Sequence, residues 1–192
     1  MSNSPHVAIA GATGAVGEEM LKCLEQRNFP VGEISLLASA RSAGRKILFR
    51  GEECVVQELG HDSFKGVDIA LFSAGGALSL EYGPSAAKAG AVVIDNSSAF
   101  RMDPEVPLVV PEVNPAAAQA RPKGIIANPN CTTIITMMGL NPLHQKFGLR
   151  SIIASSYQAV SGSGQAGIEE LSDQVKALAE GRTDVPQEVY PQ

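Results

Sequence analysis

Short apolar runs alternate along the chain with stretches of helical periodicity. Each run spans three to five residues and is bounded by glycine, proline or polar residues, which is typical of strands buried in a largely parallel sheet. The runs predict strands at 7–10, 34–38, 46–49, 54–57, 68–72, 91–95, 108–110 and 124–127, with 46–49 and 54–57 paired through a turn at Gly51.

Helical spacing fills most of the intervals between these strands. It predicts helices at 15–26, at 79–89, from residue 132 onwards and at 167–179, and a long β-rich stretch at 149–160 precedes the last one. In the first helix one face carries Val16, Met20, Leu21 and Leu24. Strands that alternate with helices indicate an α/β fold with a largely parallel sheet.

Composition and charge narrow the classes of partner. The apolar share of 44% and the charged share of 18% predict a globular protein with a sizeable core. The net charge is −5 and there is no run of lysine and arginine, which argues against nucleic acid and acidic membrane surfaces as partners. No apolar run approaches the roughly 20 residues that a membrane-spanning helix needs.

Three cysteines at wide spacings predict neither a disulfide framework nor a metal site. Cys23 falls in a helical pattern and Cys54 in a strand pattern, so both are interpreted as packing residues. The amino-terminal residues lack the basic and apolar segments of a secretory signal. We therefore expect a cytoplasmic protein, or a plastid protein whose leader has been removed.

A glycine loop follows the first predicted strand and opens the first predicted helix. Gly11, Gly14 and Gly17 occupy positions one, four and seven of this loop, a variant of the dinucleotide fingerprint G-x-G-x-x-G. Glycine permits the tight turn and lets backbone N–H groups approach a pyrophosphate at the helix N-terminus. A structural turn without a ligand is the alternative, but the strand–loop–helix context favours a Rossmann-type, doubly wound dinucleotide-binding domain.

The loop after the second predicted strand indicates which dinucleotide is bound. NAD-binding domains place an acidic residue there for the ribose 2′-hydroxyl, whereas residues 39–46 contain hydroxyls and cations but no acid. An arginine such as Arg41 can bind the 2′-phosphate of NADP through charge-assisted hydrogen bonds. The alternative is a solvated basic loop.

Cys131 lies between the apolar run 124–127 and a helix that starts near Thr132. Unpaired N–H groups and the dipole at a helix N-terminus favour the thiolate, which is the form that acts as a covalent nucleophile. A buried core thiol is the alternative. The neighbouring Asn130, Pro129 and Thr132 are turn and cap formers, and they favour the exposed helix start.

Five segments together resemble the aspartate-semialdehyde dehydrogenase family. They are the loops 11–17 and 39–45, Asn96-Ser97-Ser98-Ala99-Phe100-Arg101, the Cys131 segment 128–133 and the segment 155–162, in the family's order. The resemblance implies the NADPH-dependent reductive dephosphorylation of L-aspartyl 4-phosphate to L-aspartate 4-semialdehyde, a step toward lysine, methionine and threonine. It also implies a Rossmann-type domain at 1–130, the incomplete start of an α+β catalytic and dimerisation domain at 131–192, and a homodimer or homotetramer.

The resemblance implies a role for each matched residue. Cys131 forms the acyl-thioester, Arg101 binds the substrate phosphate or inorganic phosphate, and Gln158 positions the substrate. Asn130 helps to hold the acyl group. The NADP contacts are assigned to Gly11, Thr13, Gly14, Ala15 and Val16 at the pyrophosphate, Arg41 and Ser42 at the 2′-phosphate, and Ser161 and Gly162 at the nicotinamide end. Without the resemblance, a surface ion pair explains Arg101 equally well. Gln158 is then interpreted as a strand residue whose side chain satisfies backbone groups.

The family's acid–base histidine and its arginine for the substrate carboxylate are expected beyond residue 192. His6 precedes the first strand and His61 lies in a polar loop. His144 lies thirteen positions after Cys131, about 20 Å along a helix, whereas hydrogen-bond reach is about 3 Å. Two alternatives therefore stay open: a non-catalytic NADP-binding module, and an enzyme like N-acetyl-γ-glutamyl-phosphate reductase. The Arg101 and Gln158 segments favour the aspartyl enzyme over the latter.

Overall fold

A computed structural model of the protein describes residues 4–182 and 187–189. It contains two compact units, Met1–Ser151 and Ile152–Gln192. The predicted helix that begins near Cys131 lies in the first of these units. The domain boundary expected after residue 130 stays a prediction.

The first unit is built on a seven-stranded sheet. The strands lie in the order β3-β4-β2-β1-β5-β6-β7, and every neighbouring pair is parallel except β3 with β4. The bounds are β1 His6–Ala10, β2 Glu33–Ala38, β3 Lys46–Phe49, β4 Glu52–Glu58, β5 Ile69–Phe72, β6 Val92–Asp95 and β7 Ile125–Ala127. The predicted α/β fold with a largely parallel, doubly wound sheet is confirmed.

Four α-helices accompany the strands among the described residues: α1 Ala15–Gln26, α2 Gly76–Lys88, α3 Cys131–Phe147 and α4 Gln165–Ala179. The bounds of α1 are those predicted. Leu21 of α1 is buried, and Met20 and Leu24 pack against the core, but Val16 is 43% exposed. Val16 therefore belongs to the open first turn of α1 and not to its packed face. None of the described helices is both long and apolar enough to cross a membrane.

Two predicted strands are absent from the described structure. At 108–110 there is only a single parallel bridge between Leu108 and Ala127. Asn114 explains this, because its side chain accepts a hydrogen bond from Val110 N at 2.8 Å and donates one to the Leu108 carbonyl at 3.0 Å. These bonds satisfy the backbone locally, so no strand ladder is needed.

The β-rich stretch at 149–160 forms no strand either. Residues 149–159 have no regular structure, and Ile153 and Tyr157 are fully exposed. A strand is stabilised by hydrogen bonds to a neighbouring strand. The described part of the second unit contains only the 3-10 turn Val160–Ser163 and helix α4, so it offers no partner strand.

The core of the first unit lies on both faces of the sheet. On one face Phe64 and Phe72 stack with ring centroids 5.6 Å apart, in a cluster that includes Val93 and Ala86 of α2. On the other face Ile9 and neighbouring apolar residues pack against Leu21 of α1. Helices on opposite faces follow from the reversal of strand order at β1, with β2 on one side and β5 on the other.

The connection from β1 to α1 depends on close backbone contacts. Gly11 has a φ of 89°, and a Cβ there would lie 2.5 Å from the Ser73 carbonyl oxygen. A Cβ on Gly17 would overlap the Gly11 carbonyl oxygen and lie 2.8 Å from the Ala12 Cα. These two glycines therefore let α1 and β5 approach the turn that follows β1.

We expect Gly17→Ala to lower the free energy of unfolding by up to about 2 kcal/mol. Overpacking costs about 1–3 kcal/mol, and a Cβ that overlaps backbone atoms belongs at the upper end of this range. Alanine's higher helix propensity offsets about 1 kcal/mol of that cost. Gly139→Ala in α3 is the matched control, since nothing lies within 4 Å of the added Cβ. Urea unfolding without cofactor should show Gly139→Ala at or above the parent stability, and a Gly17→Ala variant that behaves the same way would contradict the contact.

Candidate functional site

A pocket of about 230 Å³ opens where the carboxyl ends of β1, β2 and β5 meet. This is the position at which the strand order reverses, and doubly wound folds bind their ligands there. The glycine loop and the segments after β2 and β5 provide most of the lining, which consists of Gly11, Thr13, Gly14, Ala38, Ser39, Leu59, Ser73, Ala74 and Leu78.

The structure brings the two predicted cofactor loops together at this pocket. The Thr13 hydroxyl donates a hydrogen bond of 3.5 Å to the Ser42 hydroxyl. Ser42 is buried in the 3-10 turn Ala40–Ser42, while Arg41 of the same turn is exposed. Gly14, Ala15 and Val16 are also exposed. The Gly14 N–H donates to the Gly11 carbonyl at 3.1 Å, whereas no side chain caps the start of α1. An anion at this helix N-terminus would meet unpaired donors and the positive end of the helix dipole.

Cys131 is the first residue of α3 and is exposed. Asn130 precedes it as the N-cap, and its Oδ1 accepts hydrogen bonds from Thr132 N at 2.9 Å and Thr133 N at 3.4 Å. The predicted exposed helix start is confirmed, and the alternative of a buried core thiol is wrong. Asn130 thus has a structural role that the resemblance did not indicate, because its side chain satisfies two of the helix's unpaired donors.

The other two cysteines differ from each other. Cys54 packs against the core on the α1 face, as expected, and burial raises the pKa of its thiol. Cys23 is exposed, so its interpretation as a packing residue is wrong. Its position in α1 lies next to the packed face that Leu21 and Leu24 form.

Arg101 lies between the segments that follow β6 and β7. Its Nε donates to the Asn128 carbonyl at 3.0 Å and one Nη donates to the Asn96 carbonyl at 3.2 Å. The Asn128 side chain donates to the Asn96 side-chain oxygen at 2.6 Å, which ties the two segments together. Arg101 is half-buried and forms no ion pair with any described residue. No carboxylate of the described residues therefore neutralises the guanidinium.

Sequence reasoning missed a buried carboxylate six residues before this arginine. Asp95 at the end of β6 has 0% of its surface exposed. Its oxygens accept hydrogen bonds from the Ser79 hydroxyl at 2.6 Å, the Ser97 hydroxyl at 2.7 Å and Ser97 N at 3.2 Å. The signal was an acid at the last position of a buried strand, directly before Asn96 and two serines.

The second unit contains the remaining predicted residues. Gln158 lies in its irregular segment, and Ser161 and Gly162 lie in the 3-10 turn Val160–Ser163. A Cβ on Gly162 would overlap the Gln158 side-chain amide. The structure therefore brings Gln158 and Gly162 into contact, and this contact depends on glycine.

The three histidines are engaged away from these sites. The His6 ring lies 2.8 Å from the Ser35 hydroxyl and the His61 ring 2.8 Å from the Ser85 hydroxyl. His144 near the end of α3 accepts a hydrogen bond from Leu149 N at 3.1 Å. Among the described residues, no group of three histidine, cysteine or acidic side chains is arranged to hold a metal ion.

Comparisons with known proteins cover almost the whole chain. The family model of the semialdehyde dehydrogenase NAD binding domain matches residues 6–121, and that of the dimerisation domain matches residues 140–192. An aspartate-semialdehyde dehydrogenase of Aquifex aeolicus is 55% identical over 187 residues, which are 96% of this chain and 55% of the relative. The chain thus spans about half the length of the curated relatives it matches.

Solved structures agree with these matches. Aspartate semialdehyde dehydrogenase II of Vibrio cholerae, complexed with ASA, has a TM-score of 0.92 at 49% identity, over 100% of this chain and 57% of that one. The Candida albicans enzyme with NADP has a TM-score of 0.63 at 29% identity, over 76% of this chain and 48% of that one. The predicted resemblance is confirmed, and the chain belongs to the semialdehyde dehydrogenase family.

Proposed function

We propose that the protein acts as an aspartate-semialdehyde dehydrogenase, which converts L-aspartyl 4-phosphate to L-aspartate 4-semialdehyde in the biosynthesis of lysine, methionine and threonine. The observation that carries this proposal is the exposed Cys131 thiol at the capped start of α3. Cys131 lies three residues after Asn128, whose carbonyl accepts a hydrogen bond from Arg101. A nucleophile and a cation for phosphate are the two groups that an acyl phosphate requires.

The chemistry of each residue follows from its position. The Cys131 thiolate attacks the acyl carbon, so that a carbon–sulfur bond forms while the bond to the phosphate oxygen breaks. Arg101 holds the departing phosphate, because its guanidinium has no carboxylate partner among the described residues. Asn130 and Gln158 are assigned to the acyl group and the substrate. In the opposite direction inorganic phosphate attacks the thioester, and the thiolate is released.

The cofactor proposed is NADP. Its pyrophosphate would lie against Gly11, Thr13, Gly14, Ala15 and Val16, its 2′-phosphate against Arg41 and Ser42, and its nicotinamide end against Ser161 and Gly162. The fit rests on the exposed start of α1, which no side chain caps, and on the close approach at Gly11. The Candida albicans relative was solved with NADP. When bound, NADPH supplies the hydride that reduces the thioester.

The oligomer proposed is a homodimer or homotetramer. Residues 140–192 match a dimerisation domain. The described residues of the second unit leave apolar side chains of helix α4 uncovered. These are Ile168, Leu171, Val175 and Leu178, between 38% and 65% exposed. A contiguous apolar surface of this kind marks a contact with another chain or segment. We place the protein in the cytoplasm.

A second candidate is a non-catalytic NADP-binding module. The observation in its favour is that the three histidines lie in structural hydrogen bonds away from Cys131. In the proposed enzyme, none of these three histidines is therefore assigned as the acid–base group. The two candidates differ in turnover and not in cofactor binding.

Cys131→Ala in a catalytically active form of the protein should lower the dehydrogenase rate by at least about 10³-fold, because loss of a covalent nucleophile removes the main route. NADPH affinity should stay nearly unchanged. Cys23→Ala is the matched control, since it removes an exposed thiol of the same chain and should leave the rate as it is. Substantial residual activity in Cys131→Ala would refute the nucleophile.

Arg41→Ala should weaken NADP binding by about 1.5–3 kcal/mol, the typical contribution of a charge-assisted hydrogen bond. NAD binding should hardly change, because NAD lacks the 2′-phosphate. Arg45→Ala removes the same charge four residues along the chain and should have the smaller effect. Calorimetric titration with both dinucleotides gives the comparison, and equal losses for NADP and NAD would point to a folding defect instead.

The 192-residue chain by itself should bind NADP but show no turnover. Both cofactor loops lie within its first unit, whereas a missing general acid–base group costs about 10²–10⁴ in rate. A thiol reagent should still modify Cys131, because the helix start is a local structure. NADP-dependent oxidation of aspartate semialdehyde by this chain, abolished by Cys131→Ala, would contradict the assignment of the acid–base group to a later segment.

A further inference from the structure

Asp95 forms a buried polar network at the carboxyl end of β6. Ser79 of α2 and Asp95 both have 0% of their surface exposed, and the serine hydroxyl donates to Asp95 Oδ1 at 2.6 Å. The Ser97 hydroxyl donates to Oδ2 at 2.7 Å, and Ser97 N donates to Oδ1 at 3.2 Å. A buried carboxylate is stable only when such donors surround it. The network therefore fixes Ser97 relative to both the sheet and α2.

The network continues from Ser97 toward Arg101. The Ser97 hydroxyl, while donating to Asp95, accepts a hydrogen bond from Ala99 N at 3.1 Å. Arg101 N then donates to the Ser98 carbonyl at 3.4 Å, which closes the turn. The backbone path of 97–101 thus follows from where the Asp95 carboxylate holds Ser97.

The guanidinium of Arg101 is held by groups that also adjoin Asp95. One carbonyl acceptor belongs to Asn96, the next residue in the chain. The other belongs to Asn128, whose own N–H donates to the Asp95 carbonyl at 2.8 Å. The side-chain hydrogen bond between Asn128 and Asn96 completes the frame. Both ends of Arg101, its backbone and its guanidinium, are therefore anchored around Asp95.

We propose that Asp95 is a positioning residue for phosphate binding: it fixes the turn 97–101 and so aims Arg101 at the phosphate. Asp95 has no exposed surface, so it acts through Arg101 and not by contact with substrate. The inference rests on the proposed function, in which Arg101 binds phosphate. Because carbonyl groups in a fixed frame hold the Arg101 guanidinium, it is preorganised for phosphate. A displacement of a binding group by about 1 Å can lower the rate by about 10²-fold.

The first test is steady-state kinetics in the phosphorylating direction, with a catalytically active form of the protein, aspartate semialdehyde, NADP and inorganic phosphate. Asp95→Asn replaces an acceptor oxygen by a donor and should raise the KM for phosphate about 10- to 100-fold. The KM for NADP should change less than about threefold, because the cofactor loops lie elsewhere on the sheet edge. A general loss of structure would instead affect both constants.

Asp68→Asn is the matched control. Asp68 carries the same carboxylate and also accepts a backbone hydrogen bond, from His6 N at 2.9 Å, but it lies at the amino end of the sheet. The Asp68→Asn variant should leave the KM for phosphate unchanged. If Asp95→Asn fails to fold, Ser97→Ala tests the same connection from a half-buried position, and Ser97→Thr should restore phosphate binding because it keeps the hydroxyl.

A second measurement follows Arg101 itself. The Nε proton that is donated to Asn128 should exchange slowly with solvent in the NMR spectrum of the 192-residue chain, and faster in Asp95→Asn or Ser97→Ala. Asp68→Asn should not change the exchange. This result does not depend on whether phosphate binds, so it reports the positioning of Arg101 alone.

The results of these experiments distinguish the role of Arg101 in phosphate binding from the positioning of Arg101 by Asp95. If Arg101→Ala leaves the KM for phosphate unchanged, the role of Arg101 is wrong and the inference is overturned with it. If Arg101→Ala raises that KM while Asp95→Asn and Ser97→Ala behave like Asp68→Asn, the role of Arg101 stands and the positioning by Asp95 is overturned. A phosphate-specific rise in KM together with faster Nε exchange supports the inference.

Discussion

Parallel alignment is the constraint on which the first unit depends. Because β2, β1, β5, β6 and β7 run in one direction, their carboxyl ends meet at one edge of the sheet. The glycine loop follows β1, the Arg41 turn follows β2, the Arg101 turn follows β6 and Cys131 follows β7. The strands bury the apolar side chains, and the connections at this edge are left to carry polar groups.

Different physical devices build the two halves of that edge. At β1 and β5 the backbone itself comes close, and Gly11 and Gly17 leave room for it. At β6 and β7 side-chain hydrogen bonds hold the connections in place, with asparagines and serines arranged around a buried carboxylate. The first arrangement suits backbone N–H groups that receive a pyrophosphate. The second suits a charged side chain that must keep a fixed direction.

The second unit differs from the first in how its apolar side chains are exposed. Helix α4 has an apolar face that the described residues of its unit do not cover, and the segment before it forms no strand. Both features belong to a region that matches a dimerisation domain. Exposed apolar surface is unfavourable in water, and contiguous apolar patches mark contact sites. The described residues of this unit do not bury the apolar face of α4 by themselves.

Local sequence signals determined the elements whose cause is local. The limits of α1, the glycine turn and the helix start at Cys131 were all predicted, because caps, turns and helical periodicity act within a few residues. The strands predicted at 108–110 and 149–160 were wrong. At 108–110 only one bridge to β7 forms, because the Asn114 side chain bonds to the backbone there. The stretch 149–160 has no neighbouring strand among the described residues of its unit. Likewise, the hydrogen bonds from Ser79 to Asp95, from Arg101 to Asn128 and from Asn128 to Asn96 join residues 16, 27 and 32 positions apart. Only the tertiary structure could decide these contacts. The strand order brings their partners together, and no single segment of the sequence determines that order.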